Sequence, residues 1–259
     1  MAQIELKDVG LSYFTPKQET EALRGINLSI RHGEFVSIVG PSGCGKSTLL
    51  SLVSGMLKPT KGNVLIDGEE VTGTSRKVGY MLQHDHLFEW RNVFNNLLVG
   101  AEIRKMDLNR AKRKASELLE RYGLGEFAQH GPSQLSGGMR QRVALIRTLV
   151  AEPDILLLDE PFSALDYQTR LKLSDEVFHI IKEQGKTALL VTHDLSEAIS
   201  MADRVMVMSK RPSTISSMHD IRFEEGGGLS PWKKREAGLY NRYFNAIWKE
   251  LEGHVVPII

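Results

Sequence analysis

The chain has one cysteine in 259 residues, so no internal disulfide can form, which fits a reducing compartment. It has almost no net charge. Thirty-three Lys and Arg stand against thirty-two Asp and Glu, giving +1, so no global field attracts nucleic acid or an anionic membrane. It has no apolar run near the roughly 18–20 residues a spanning helix needs; Ile155–Leu158 has only strand length. The start, Met1 to Lys7, lacks a basic segment followed by an apolar core, and we expect no secretion signal. No repeat or low-complexity tract is found. With 41% hydrophobic and 25% charged residues, the composition excludes a disordered or collagen-like chain. The length allows one large domain, or one with a sizeable insert.

What is present alternates by region. In the first third, short strands alternate with turns. Ile26, Leu28 and Ile30 alternate with Asn27 and Ser29 as a half-buried strand does, while Phe35–Val39 has the continuous apolar character of a buried one. A helix over Ser47–Ser54, stopped by Gly55, follows a glycine-rich loop, and Val64–Ile66 and Val78–Leu82 are further strands. From Val93 to Ala151 the pattern is helical, with Ala115, Leu118, Leu119 and Tyr122 at helix spacing before Gly123. Strands return at Ile155–Asp159, Thr187–Thr192 and Val205–Met208. The helix Tyr167–Gln184 lies between the first two, with Leu171, Val177, Phe178 and Ile181 inward and Gly185 as its stop. This alternation predicts an α/β fold with a mainly parallel sheet and a helical insert. Gly226-Gly227-Gly228 marks a joint, and Ser230-Pro231 a helix start. Beyond it Leu239, Tyr240, Tyr243, Phe244, Ile247, Trp248 and Leu251 form an apolar stripe, which either packs on its own domain or docks on a partner.

Three segments carry chemistry. Gly40-Pro41-Ser42-Gly43-Cys44-Gly45-Lys46-Ser47 fits G-x-x-x-x-G-K-[ST] between a predicted strand and a predicted helix. Its backbone N–H groups and the helix N-terminus suit phosphate. Lys46 reaches the β- and γ-phosphates in such a loop, and the Ser47 hydroxyl ligates Mg²⁺; Cys44 is a spacer whose thiol we expect to be modifiable. Ile155–Leu158 delivers Asp159 and Glu160 to the carboxyl end of a buried strand, where ligands gather in open α/β sheets. Asp159 is the candidate Mg²⁺ ligand, through water, and Glu160 the candidate that orients or deprotonates an attacking water. In Leu135-Ser136-Gly137-Gly138-Met139-Arg140-Gln141-Arg142, Ser136 is placed to cap a helix running toward Ala151, with Gly137 and Gly138 adding N–H groups to an anion site.

That third segment, between the other two, resembles the signature sequence of ATP-binding cassette (ABC) ATPases, and the resemblance covers about Ile4 to Lys210. It implies a P-loop NTPase with a RecA-like, mainly parallel core (1–86 and 153–210), an N-terminal antiparallel β portion, an α-helical subdomain (87–152) and a C-terminal extension (211–259). Gln83 resembles the Q-loop glutamine that touches Mg²⁺ and water. Ser163–Asp166 resembles the D-loop, with Asp166 crossing to a partner, and Thr192-His193-Asp194 the switch, with His193 on the γ-phosphate. Tyr13, 27 residues before Gly40 (40 − 13), is placed where the family stacks an aromatic on adenine, with a packing aromatic as the lesser alternative, since Phe14 adjoins it. ATP contacts extend through Thr48.

The signature has Met139 where most of the family has glutamine. Leu87-Phe88-Glu89-Trp90-Arg91-Asn92-Val93 resembles the L-x-P-W-x-x-V segment of nitrate, sulfonate and taurine importers, with Glu89 at the proline position. The 49 residues after Lys210 (259 − 210) are too few for the regulatory barrel of sugar-importer ATPases. The resemblance therefore implies the ATPase of a bacterial importer, peripheral on the cytoplasmic face of the cell membrane. It would bind ATP and Mg²⁺ between two copies, Lys46 of one facing Ser136 of the other. Its partners would be transmembrane permease subunits met near Trp90 and, indirectly, an external substrate-binding protein. A soluble ABC-type ATPase acting on DNA or ribosomes is the alternative, but such relatives carry coiled coils, zinc motifs or paired cassettes, and this chain has none. A non-catalytic ATP sensor is expected to lack Glu160 or His193, and both are here. The basic run Arg104-Lys105, Arg110, Lys112, Arg113, Lys114 has no aromatic interleaving and implies a solvated helix face, not nucleic acid.

Overall fold

A computed structural model describes residues 2–16, 18–223 and 229–253; the glycine joint at 226–228 lies outside them. In chain order the elements begin β1 (Ala2–Thr15), β2 (Gln18–Arg31), β3 (Phe35–Val39), α1 (Lys46–Val53), β4 (Lys61–Ile66), β5 (Glu69–Glu70) and β6 (Val78–Met81). The helical middle holds α2 (Val93–Arg104), α3 (Leu108–Arg121) and α4 (Gly137–Val150). Then come β7 (Ile155–Asp159), α5 (Tyr167–Glu183), β8 (Thr187–Val191), α6 (Leu195–Met201), β9 (Arg204–Met208) and β10 (Ile215–Asp220), and last α7 (Pro231–Glu236) and α8 (Gly238–Gly253). The chain divides into two compact units: Met1–Ser75 with Ser174–Ile259, and Arg76–Leu173.

The first unit holds an antiparallel sheet in the order β2-β1-β4-β5. Its register sets Ile4 opposite both Ile30 and Ile66, and Leu6 opposite both Leu28 and Val64, so alternate residues of three strands share one buried face. β1 and β2 are fourteen residues each, longer than the short strands their pattern suggests. The reason is irregular register between Leu6 and Leu11, where Asp8 takes a positive φ of 50° and alternation breaks without ending the strand. In the same unit β3 runs parallel to β8 and to β9, and β10 closes that side antiparallel to β9. All five residues of β3 and of β8 are buried, as expected of strands covered on both faces. Helix α1 ends where predicted: Gly55 has φ 76°, and a Cβ there would fall 2.1 Å from the Gly73 carbonyl oxygen.

The C-terminal stripe packs on its own unit, with α8 against α6 and β9. Only Ile247 is fully buried on α8, and Phe244 stacks on a half-exposed Trp248. A break at Ala237, extended at ψ 139°, separates α7 from α8. Ser230 starts α7 as its sequence implies, accepting from the Lys233 N–H at 3.5 Å.

In the second unit β6 pairs parallel to β7, Val78 opposite Ile155 and Met81 opposite Leu158. Helices α2, α3 and α4 pack on one another. α3 shows the expected inward face of Ala111, Ala115, Leu118 and Leu119, and Gly123 follows with φ 65°. On α5, whose residues from Ser174 onward belong to the first unit, the inward residues are Leu173, Val177, Phe178, Ile180 and Ile181; Leu171 is only half-buried, because the apolar face passes through Leu173.

Candidate functional site

The first unit presents one group of candidate residues at the carboxyl edge of parallel strands. β3 ends at Val39 and the chain turns through Gly40–Gly45 into α1. A Cβ on Gly40 would lie 2.9 Å from the Met208 carbonyl oxygen, and Gly43 and Gly45 hold φ of 72° and 119°, a region side chains disfavour. Gly45 occupies the N-cap of α1 and supplies no side-chain cap, so no capping side chain competes with a ligand at this helix start. Lys46 is 8% exposed; its ammonium folds back to donate to the Gly40 and Pro41 carbonyls at 2.9 and 3.0 Å. The Arg211 guanidinium donates to the Gly43 carbonyl. Pro41, Ser42 and Ser47 line the same turn and first helical residues, and Ser42 and Ser47 are exposed. Cys44 is buried, which corrects the expectation of a modifiable thiol: its side chain packs inward and the loop presents backbone.

Tyr13 stands on β1 with its ring 43% exposed and its hydroxyl 3.2 Å from Thr48 Oγ1, beside the first turn of α1. Its neighbour Phe14 points away into solvent, 70% exposed. At the same carboxyl edge, β8 leads into Thr192-His193-Asp194, with the His193 side chain exposed. Thr192 donates to Glu197 at 2.6 Å and accepts from the Asp194 N–H at 3.0 Å, while Asp194 caps α6 through Ser196 N–H at 2.7 Å. The turn carrying His193 is thereby fixed on both sides.

The second unit presents another group of candidate residues, again where two parallel strands end. Asp159 closes the fully buried β7 and is itself buried. Glu160 follows with φ 49°, a left-handed conformation that is uncommon outside glycine and concentrates at functional sites. Gln83, just past β6, donates from Nε2 to Glu160 Oε2 at 3.4 Å. Gln141, whose role the sequence reading did not anticipate, explains why this segment holds its shape. Buried on α4, it donates to the Glu160 carbonyl at 3.0 Å and to Ser163 Oγ at 3.2 Å, and accepts from the Ala164 N–H at 2.9 Å. Ser136 caps α4, accepting from the Met139 N–H at 3.3 Å, and Gly137 and Gly138 form the first turn behind it. A Cβ on Gly138 would come 3.0 Å from Leu165 Cδ2. Asp166 accepts from the Thr169 N–H at 3.0 Å at the start of α5, and the Thr169 hydrogen bonds hold its carboxyl below the ordinary aspartate range.

Trp90 is 79% exposed, its ring 4.8 Å from that of Phe88. The loop beneath it is rigid. Fully buried Asn96 accepts from the Phe88 N–H at 2.8 Å and donates to the carbonyls of Phe88, Arg91 and Asn92. Arg140 of α4 bonds Asp85 at 3.1 and 3.2 Å and pairs with Glu89 at 3.4 Å. Burial pushes the Asp85 carboxyl up, but Arg140 and the Leu87 N–H outweigh it and hold it below its usual value. These fasteners were not found from sequence; their only signal was an acidic residue where the L-x-P-W segment has proline. Beside the loop lies a groove of about 350 Å³ lined by Tyr80, Phe88, Val99, His86, Arg104 and Arg147. Arg104 donates to the Ala151 and Val78 carbonyls, and Arg147 to those of His86 and Asp85, so both guanidiniums are held by carbonyls.

Among the described residues no group of three or more His, Cys, Asp or Glu could hold a metal alone. Ser47 in the first unit, and Asp159 and Gln83 in the second, each offer an oxygen of the kind that Mg²⁺ takes as a ligand.

A family model described as ABC transporter matches residues 23–163. The chain belongs to the ABC transporter family. This ABC chain is 44% identical to an uncharacterised ABC transporter ATP-binding protein, YtlC, of Bacillus subtilis, over 97% of its own length and 96% of the relative's. It is 40% identical to the taurine import ATP-binding protein TauB of Pelagibacter ubique, over 88% and 86%. Among solved structures it resembles a dimeric post-hydrolysis state of the ATP-binding cassette MJ0796 bound to ADP and Pi. The TM-score is 0.77 at 34% identity, over 85% of this chain and 99% of that one. The ABC assignment bears out the resemblance read from the sequence, and the mixed parallel and antiparallel sheets bear out the α/β P-loop fold.

Proposed function

We propose that this chain is the ATP-hydrolysing subunit of an importer, working as two copies with separate membrane permease subunits. The observation that carries the hydrolytic part is the Gln83–Glu160 hydrogen bond at the ends of β6 and β7, beside buried Asp159. It sets a candidate base against an amide able to orient water. Lys46 releases its two loop carbonyls to take the β- and γ-phosphates, a change from neutral acceptors to anionic ones that favours the nucleotide-bound state. Tyr13 supports adenine next to Thr48, His193 senses the γ-phosphate, and Glu160 takes the proton of the attacking water. Ser47, Asp159 and Gln83 would hold Mg²⁺, which would neutralise phosphate charge. Ser136 with Gly137 and Gly138 caps the nucleotide of the second copy, and Asp166 meets that copy.

Exposed Trp90 and the cationic groove beside it support a permease contact. No helix among the described residues is long and apolar enough to cross a membrane, so on this reading the chain sits peripherally on the cytoplasmic face. The taurine import relative favours this reading over a soluble ATPase acting on DNA or ribosomes. The cargo is a small anion or organic compound of the nitrate, sulfonate or taurine type, delivered by an external binding protein. Purification of the chain from native membranes tests the assembly: permease subunits should accompany it, and recovery with ribosomes or DNA and no membrane protein would overturn the importer reading.

A further inference from the structure

The first unit contains a cavity of about 530 Å³ at the amino-terminal edge of β3, the edge opposite the phosphate loop. Five residues of strand, roughly 16 Å at 3.3 Å each, separate the two. The cavity is walled by the β2–β3 turn, α5, the start of β9, the segment after β10, and α7. Its carboxylates are all engaged. Glu34 pairs with Arg31 and Arg204, each at 3.3 Å; Asp220 pairs with Arg204 at 3.8 Å and Arg222 at 3.6 Å. Asp203 accepts from Lys182 at 2.6 Å and from the Phe35 N–H at 2.8 Å.

Lys234 is the exception. It is 8% exposed, its ammonium stands 4.6 Å from the Phe178 ring centre and 5.9 Å from that of Phe223, and it makes no ion pair among the described residues. A buried charge in such surroundings is normally paired. Burial lowers its pKa to about 8, with Asp203 opposing the shift from a distance and Lys182 adding to it.

We infer that this cavity is a second ligand site, taking a small organic anion, a carboxylate or sulfonate with an apolar body, whose charge meets Lys234 and whose body lies against Phe178 and Phe223. The three carboxylates in the described wall are already paired, so an entering anion meets Lys234 as the charge without an ion-pair partner among the described residues. The aromatic rings that now substitute for a counter-ion give the apolar portion a surface. The wall includes α7 and the segment after β10, so occupancy ties the C-terminal extension to the sheet.

The test uses the full chain saturated with MgADP, which occupies the phosphate loop, and titrates butanesulfonate by calorimetry at neutral pH. Saturable binding in the low-millimolar range is expected, about what eight non-hydrogen atoms supply, with 1-butanol and butylammonium inert. Lys234→Gln should weaken binding at least about tenfold while ATP turnover is unchanged. An independent readout needs no variant: butanesulfonate should slow acylation of Lys234 and not of Lys182, measured by peptide mass spectrometry. Absence of saturable binding, equal affinity in Lys234→Gln, or unslowed labelling of Lys234 would each overturn the site. None of these outcomes touches the ATPase assignment, which stands or falls on turnover.

Discussion

Two helices of this protein begin at the ends proposed to bind phosphate, and they are built oppositely. α1 starts at Gly45, which has no side chain with which to cap, and its neighbouring ammonium is parked on the loop's own carbonyls. α4 starts at Ser136, which already satisfies the Met139 N–H. An uncapped start has donors to offer and needs a ligand to complete it; a capped one is complete and can add only a shared hydroxyl and the remaining N–H groups. α1 is thus suited to be the principal phosphate holder and α4 to close over phosphate already held. Their supports differ too: the loop before α1 is shaped by glycine backbone, while α4 is locked by the side chains of Gln141 and Arg140.

The largest expected effect separates holding from chemistry. Glu160→Gln should lower hydrolysis by roughly 10²–10⁴ while ATP affinity holds or rises, and ATP but not ADP should shift the variant toward dimer by light scattering. Turnover at the parent rate would remove Glu160 as base. Next, Lys46→Ala should lose nucleotide binding with the fold intact by circular dichroism; unchanged binding would mean that the open helix start suffices without the ammonium. Ser136→Ala should be milder for one copy, costing about 1 kcal/mol of helix-cap stability with little change in ATP affinity of the monomer. If it weakens monomer binding as much as Lys46→Ala does, the division between the two helix starts is wrong. Trp90→Ala should reduce permease assembly or transport, by up to about 2 kcal/mol at an interface, and shift the isolated chain's stability within about 0.5 kcal/mol. Large unfolding of the isolated chain would contradict its exposure.

The smallest effect is a pH dependence. The Asp85 carboxyl is held below its unfolded value, so its pairing stabilises the fold above the ordinary aspartate pKa and is lost as pH falls through the lower folded value. Urea titrations should therefore show the parent more stable than Asp85→Asn at neutral pH, with the gap closing under acid conditions. A gap constant down to that range would show that Arg140 does not hold this loop through charge.

What was legible in the sequence was local. The buried run Phe35–Val39, the loop glycines and the Ser136 cap each announce themselves within a few residues, because strand burial, positive φ and capping are short-range demands. The full length of β1 was hidden by irregular pairing, and the break at Ala237 was signalled only by the neighbouring Gly238. The Asp85–Arg140 and Gln141–Ala164 bonds join residues 55 and 23 apart, spacings that no helical or strand period encodes.

Glu160 sits in a backbone conformation that costs a side chain roughly 1–2 kcal/mol and glycine almost nothing. Selection for abundance and selection for activity therefore pull this position apart. A library screened only for soluble, heat-resistant protein should enrich Glu160→Gly, and the same library screened for growth on the imported compound should discard it. On the proposed role, its chemistry would hold the residue in place against the preference of its own backbone.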